Sequence, residues 1–225
     1  MRYAVLILAL GLCPLSAQAA LLSPSEVDAS RYLPPPPATG SVDEKAEFQE
    51  LKAIAARSTP EEMAAAARDA KDETPDIFNR AIGFDATTKP ETFKLMTMVM
   101  EEEDGDTKGA KAYFHRLRPY SVDPSIKTCE PVKPGKAANS YPSGHSSLAF
   151  SMGVVLASLI PEKSQAILAR ASEYAEHRLV CGVHYRSDIV AGQQFGTILA
   201  LRLMQNPTFR AQMDRARAEL GSATH

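Results

Sequence analysis

The chain has 225 residues, 25 Lys and Arg against 27 Asp and Glu, a formal charge of −2, and 44% apolar residues. That length favours a single domain with a proper core. The lack of a basic surplus argues against nucleic acid as a partner, since little is available to neutralise a phosphate backbone. A local basic pocket stays open.

Residues 1–19 have the layout of a secretory signal peptide: Arg2, the apolar run Ala4–Leu12, then Ala17-Gln18-Ala19. Cleavage after Ala19 makes Ala20 the mature N-terminus and removes Arg2, leaving 24 basic residues against 27 acidic and a charge of −3. Cys13 is a poor lipidation site, because bulky Leu12 precedes it and Pro14 follows. No later segment supplies the roughly 18 uninterrupted apolar residues of a membrane span. Leu148–Ile160 is too short, and Ile189–Met204 is broken by Gln193, Gln194 and Arg202. The mature chain is expected to be exported, without a membrane span. Cys129 and Cys181 remain, and an even pair in an oxidising compartment reads as a disulfide.

Residues 20–40, with Pro34–Pro37, read as an extended polyproline arm on the surface or on a neighbouring subunit. Residues 41–225 read as one helical domain. Ser41-Val42-Asp43-Glu44 is a capping box, with Phe48, Leu51, Ile54 and Ala55 on one face behind it. Thr59-Pro60-Glu61-Glu62 repeats the signal for an alanine-rich helix to about Lys71, and Thr74-Pro75 opens a short piece ending near Gly83. Pro90 opens another helix, carrying Phe93, Leu95, Met96, Val99 and Met100. Glu101–Gly105 is expected to be a solvated acidic loop. Asp106 is expected to cap a helix to about Leu117, followed by an irregular stretch from Tyr120 to Tyr141.

The apolar run after Asn139-Ser140-Tyr141-Pro142-Ser143-Gly144-His145 reads as a central helix to Ile160. Pro161 begins the next helix, with Ile167, Leu168, Ala171, Tyr174 and Leu179 toward the core and Gly182 breaking it. A helix from Ser187 or Asp188 through Met204 follows, then one from Asn206-Pro207 to Leu220-Gly221. No hairpin dipeptide or βαβ pattern is present, so the fold class is all-α, a compact helical bundle.

Three clusters carry chemistry. Lys111 and Arg118, seven apart, are about two helical turns from each other and are expected on one face. Pro142–His145 puts a hydroxyl, amides at a helix N-terminus and an imidazole in four residues, a ready anion site. His184 and Asp188, four apart, place a carboxylate where it can take one imidazole N–H and fix the tautomer. Arg178 adds a cation to this third cluster. Each alone has a plain structural reading: a solvated basic face, a helix cap, a structural hydrogen bond.

Taken together, Lys-x6-Arg-Pro, Pro-Ser-Gly-His and Arg-x5-His-x3-Asp resemble the signature of a superfamily. It contains type 2 phosphatidic-acid phosphatases, bacterial non-specific acid phosphatases and vanadium haloperoxidases. The signal peptide, the Leu-Pro-Pro-Pro-Pro arm, the single domain and the Asn-Pro-x-Phe turn at Asn206–Phe209 make the chain similar to a class A bacterial non-specific acid phosphatase. The resemblance implies a periplasmic, homo-oligomeric phosphatase of the all-α acid phosphatase type. It implies phosphomonoester substrates, inorganic phosphate as product, inhibition by vanadate, possible transfer to alcohols, and no metal or other cofactor. It also assigns roles: His184 the nucleophile, Asp188 its partner, His145 the acid and then the base. Lys111, Arg118, Ser143, Gly144 and Arg178 would hold the phosphate. His177 stands where the family usually has serine. The rival readings are a zinc hydrolase using His177, His184 and Asp188, a vanadate-dependent haloperoxidase, and a non-catalytic phosphate- or headgroup-binding module.

Overall fold

A computed structural model describes residues 20–132 and 134–221; the expected signal peptide lies outside the described residues. Among them there is no strand, and the helices form a bundle around a central apolar helix. The helices are α1 (Ala29–Tyr32), α2 (Val42–Arg57), α3 (Pro60–Asp69), α4 (Asn79–Ile82) and α5 (Pro90–Phe114). Then come α6 (Pro119–Val122), α7 (Gly144–Leu159), α8 (Ser164–Val180), α9 (Arg186–Leu203) and α10 (Pro207–Gly221).

The start signals act through their side chains. Thr59 and Glu62 form a reciprocal capping box. Ser41 Oγ accepts from the Glu44 amide at 3.1 Å, but the Glu44 carboxylate takes the Gly40 amide, at 2.6 Å, rather than the cap residue's own. The piece after Thr74 begins as a 3₁₀ turn, Pro75–Phe78, runs into α4 and stops at Gly83 in the left-handed region.

The acidic stretch differs from the reading. Glu101–Gly105 is not a loop, and Asp106 caps nothing: α5 runs unbroken through both and ends at Phe114, three residues before Leu117. Glu102 and Glu103 are buried. Glu102 takes the backbone amides of Leu21 and Leu22 at 2.8 and 2.9 Å. One of the acids read as solvent-facing, Glu102, therefore holds the arm, a tertiary role that overrides the weak helix propensity of Asp104, Gly105 and Asp106. The arm lies on its own chain. Leu22, Val27, Ala29 and Leu33 are buried, and Tyr141 donates to the Pro34 carbonyl at 2.6 Å.

α7 is apolar on nearly all sides because neighbours cover it on nearly all sides. Leu148, Met152, Val155 and Leu156 meet Leu95 and Val99 of α5, Ile167 and Tyr174 of α8, and Leu199 and Leu203 of α9 in one core. Leu168, expected with them, is partly exposed instead. A second cluster joins Leu51 and Ile54 of α2 to Leu179, Tyr185 and Ile189.

Helices α7 and α9 approach unusually closely, and two glycines of α9 allow it. A Cβ at Gly192 would lie 2.5 Å from the Ser143 carbonyl oxygen, and one at Gly196 would collide with that of Ser147. This contact sets the start of α7 directly against the start of α9. The Ser143 amide donates to the Asp188 carbonyl at 3.0 Å across the junction.

Candidate active site

The candidate side chains gather where α5, α7, α8 and α9 meet the irregular segment 115–143. That segment is fixed at several points. His115 turns into the left-handed region (φ 50°) and ends α5. The Arg118 amide donates to the Ala137 carbonyl at 2.7 Å, and Ser140 to that of Arg116 at 3.0 Å. The peptide before Pro142 is cis. Cys129 and Cys181 are disulfide-bonded, with Cα atoms 4.6 Å apart. Beside the bridge, Gly182 sits at φ 66°, where a Cβ would strike the Lys127 carbonyl. Cys129, Glu130 and the residues after α8 are thereby held together.

A cavity of about 810 Å³ opens here, lined by Lys111, Arg118, Gly144, His145, Arg178 and His184 among others. Six of the sequence-predicted site residues thus share one wall system. The expected route for two of them is wrong. Lys111 and Arg118 are not on one helix face, because α5 has ended before Arg118, which sits at the N-cap of α6. They converge because Lys111 Nζ and Arg118 Nη2 both donate to the Asn139 carbonyl, at 3.1 and 3.3 Å. Lys111 also donates to Pro142 O at 2.5 Å, and Arg118 Nη1 to Val183 O at 3.1 Å.

Arg178 is 2% exposed. Its Nη2 donates to Glu130 Oε1 at 2.8 Å, whereas its Nε and Nη1, with Arg118 Nε, are buried without a protein acceptor. Buried unsatisfied donors are costly and point to a ligand that accepts from them. Burial and the Arg118 charge push the Lys111 amine down to about 7.

His184 and Asp188 meet as expected. Nδ1 of His184 lies 3.2 Å from Asp188 Oδ2, and both residues are almost fully buried. Asp188 is held by more than the sequence foretold. Ser140 Oγ donates to Oδ2 at 2.6 Å, the Tyr185 amide at 2.9 Å, and Arg116 Nη1 to Oδ1 at 2.7 Å. Arg116 in turn reaches Glu47 of α2 at 2.6 Å and lies over the Tyr185 ring, 3.9 Å from its centroid. The sequence reading missed Arg116, Ser140 and Glu47. No spacing rule links Glu47 to a residue 69 positions later; only the unusual burial of an Arg–Glu pair marks it, and that needs coordinates. Burial first, then Arg118, Lys111 and Arg178, hold the His184 imidazolium well below the ordinary histidine range.

His145 stands in the first turn of α7. Its Nδ1 is 3.1 Å from Glu73 Oε1, its Nε2 is 3.4 Å from the Ala70 carbonyl, and its ring stacks on Tyr174. Burial, then Arg178 and His184, shift its imidazolium downward too.

Ser143 falls elsewhere than the reading puts it, and His177 lies away from where the zinc rival needs it. Ser143 is read as a phosphate contact, but it is fully buried and outside the cavity lining. Its Oγ accepts from the Ser146 amide as the cap of α7, and its amide is spent on Asp188. His177 faces α3: its Nδ1 is 2.6 Å from Asp69 Oδ2, a carboxylate that also takes two bonds from Arg170. His177 therefore does not join His184 and Asp188, and the zinc triad is not assembled. Among the described residues no group of three or more His, Cys, Asp or Glu side chains is placed to hold a metal ion.

Residues 95–211 match the PAP2 superfamily. The chain is 31% identical to the non-specific acid phosphatase of Providencia stuartii over 201 residues, which is 86% of this chain and 81% of that one. It is 30% identical to the acid phosphatase of Zymomonas mobilis over 199 residues, 85% of this chain and 75% of that one. In fold it is similar to the crystal structure of a transmembrane PAP2 type phosphatidylglycerolphosphate phosphatase from Bacillus subtilis. That likeness has a TM-score of 0.54 at 19% identity and covers 73% of this chain and 85% of that one. No helix among the described residues is long and apolar enough to cross a membrane. The match over half the chain, and the identity over most of it, establish that this chain belongs to the PAP2 superfamily.

Proposed function

We propose that the protein is an acid phosphatase that hydrolyses phosphomonoesters through a phosphohistidine on His184. One observation carries this: three cations and two imidazoles from five places along the chain line a single cavity, with buried guanidinium N–H groups aimed at no protein acceptor. A tetrahedral dianion supplies the missing acceptors. Lys111, Arg118 and Arg178 would hold its non-bridging oxygens, with the Gly144 amide at the N-terminus of α7. Ser143 would contribute by capping that helix rather than by touching phosphate.

In the first step, Asp188 takes the Nδ1–H of His184, which leaves the Nε2 lone pair to attack phosphorus. The N–P bond forms as the P–O bond to the alcohol breaks, and His145 gives its proton to the departing oxygen. The Asp188 carboxylate, oriented by the buried Arg116 behind it, stabilises the positive charge that develops on His184. In the second step, water loses a proton to His145 and attacks the same phosphorus. The P–N bond breaks, inorganic phosphate leaves and both histidines return to their starting states. An alcohol in place of water would give phosphotransfer. Positioning and charge stabilisation supply most of the rate in such reactions, and the fixed cations serve that purpose without a metal.

The downward shift of His184 suits this scheme, since the nucleophile must be neutral in acid. His145 must carry a proton, and the bound anion offsets the cations that oppose it. The reading extends to export through residues 1–19 and to a periplasmic homo-oligomer. Turnover of p-nitrophenyl phosphate with and without a chelator tests it. Phosphate release that survives chelation and is blocked by vanadate is expected. Complete loss on chelation, restored by zinc, would replace the histidine mechanism with a metal one.

A further inference from the structure

Resting on the phosphatase reading, we infer that Glu73 is a positioning residue for the acid step: its carboxylate holds the proton donor His145 in charge and orientation.

The His145 ring is surrounded by charged and aromatic side chains. From α8 come Arg178 and the stacked Tyr174; from α5, Lys111; from the turn before α9, His184. Three of these four are cationic or can become so, and the ring is largely buried. Burial, Arg178, His184 and Lys111 all oppose a proton on the ring. An acid that must arrive protonated at each turnover needs a counterweight on the enzyme. The segment after α3 supplies one: Glu73 Oε1 at 3.1 Å from Nδ1 and the Ala70 carbonyl at 3.4 Å from Nε2. With an acceptor facing each ring nitrogen, the site fits the doubly protonated ring better than either neutral tautomer.

Glu73 is itself 63% exposed on its side chain, so its position depends on its backbone. The segment leading to it is anchored at two residues, the Asp69 carboxylate and the Asp72 carbonyl. Asp69, at the end of α3, is bound by two Arg170 nitrogens at 2.7 and 2.9 Å. His177 grips the same carboxylate at 2.6 Å. Tyr174, the residue stacked on His145, donates to the Asp72 carbonyl at 2.5 Å. One side of α8 thus fixes the residues that flank His145. His177, the departure from the usual family serine, has its place here as part of the mount rather than of the pocket.

Glu73 also lines the cavity, so it stands where the alcohol leaves. When the ester oxygen takes a bond from one ring nitrogen, Glu73 keeps the other nitrogen's proton and the ring's orientation. This is the part Asp188 plays for His184, but performed by an exposed, screened carboxylate. The expected effect is therefore modest.

The test compares wild type, Glu73→Gln and His145→Ala on two substrates across pH, reading kcat/KM. That parameter covers steps through cleavage of the ester bond and excludes hydrolysis of the phosphoenzyme. p-Nitrophenolate leaves with little protonation; the alkoxide of glycerol 2-phosphate needs a proton. Glu73→Gln is expected to cut kcat/KM for glycerol 2-phosphate by about 3- to 10-fold while leaving p-nitrophenyl phosphate within about 2-fold. Its alkaline limb should move to lower pH by roughly half a unit or more, with Glu73→Asp between Gln and wild type. His145→Ala should lose about 10²-fold or more on the alkyl ester. An E73Q enzyme with equal losses on both esters, or an unmoved alkaline limb, overturns the role of Glu73 while the phosphatase reading stands. A fully active H145A enzyme overturns the acid role of His145 and the role of Glu73 with it.

Discussion

The two imidazoles of the cavity are held in opposite ways. His184 leans on a carboxylate with no solvent exposure, and that carboxylate is bonded by Ser140, the Tyr185 amide and Arg116, with Glu47 behind. His145 leans on a carboxylate that is mostly in water and on one long backbone contact. The difference suits the roles proposed for the two rings. A nucleophile needs one tautomer and one direction throughout, which a dry, fully bonded network supplies. A proton donor that becomes an acceptor must change charge twice per turnover, and a solvated partner makes each change less costly. The rigid side is built on the α7–α9 contact that Gly192 and Gly196 permit; the adjustable side is built on a loop end pinned to α8.

The sharpest way to break the comparison is to remove the rigid side's reactive atom. His184→Ala should lower kcat by at least about 10⁴-fold on every ester, whatever the leaving group; initial rates on the two esters check this. Asp188→Asn should cost about 10³- to 10⁴-fold, because an amide can present its N–H to Nδ1 and favour the wrong tautomer. If D188N loses no more than E73Q does, the asymmetry between the two partners is not real.

Arg116→Met probes the network behind the carboxylate. Removing one member of a buried ion cluster leaves Glu47 and Asp188 without their cation, and about 3 to 5 kcal/mol of stability should go. Denaturant unfolding measures it. A loss below about 1 kcal/mol would mean that the cluster contributes little to the fold.

These consequences were unequally legible beforehand. Local rules identify the helix starts at Ser41 and Thr59, because a cap involves residues three apart. They also paired His184 with Asp188, four apart on the chain. They failed for α5, where Glu102 and Glu103 look like solvated acids until Leu21, Leu22 and Thr107 are brought against them. They placed Lys111 and Arg118 in one cavity but by the wrong geometry, since nothing in the sequence marks His115 as the left-handed end of the helix. Arg116 and Glu47 stayed invisible because their pairing exists only in the folded state. Charge spacing along a chain reports what a helix can bring together, not what two loops do.

The smallest effect concerns Glu103, on the cavity wall near Lys111. Burial pushes its carboxyl up to about 7 from an ordinary 4.5, despite the Thr107 hydroxyl bonded to it. In the native state it keeps its proton up to about 7, whereas the unfolded chain releases it above 4.5. The stability it contributes is therefore full below 4.5 and lost as pH rises toward 7. Glu103→Gln cannot lose that proton, so its stability relative to wild type should climb by roughly 1 to 3 kcal/mol across that window. Paired melts at pH 4.5 and 7 give the difference. A flat difference would place Glu103 in a more polar setting than its burial implies.

The most direct test of the central claim is the site of covalent attachment. Wild-type enzyme turning over a ³²P-labelled phosphomonoester, stopped by rapid denaturation in alkali and mapped by peptide, should carry an acid-labile phosphate on His184. Label on any other residue, or a pre-steady-state burst of alcohol with no labelled protein, would contradict it.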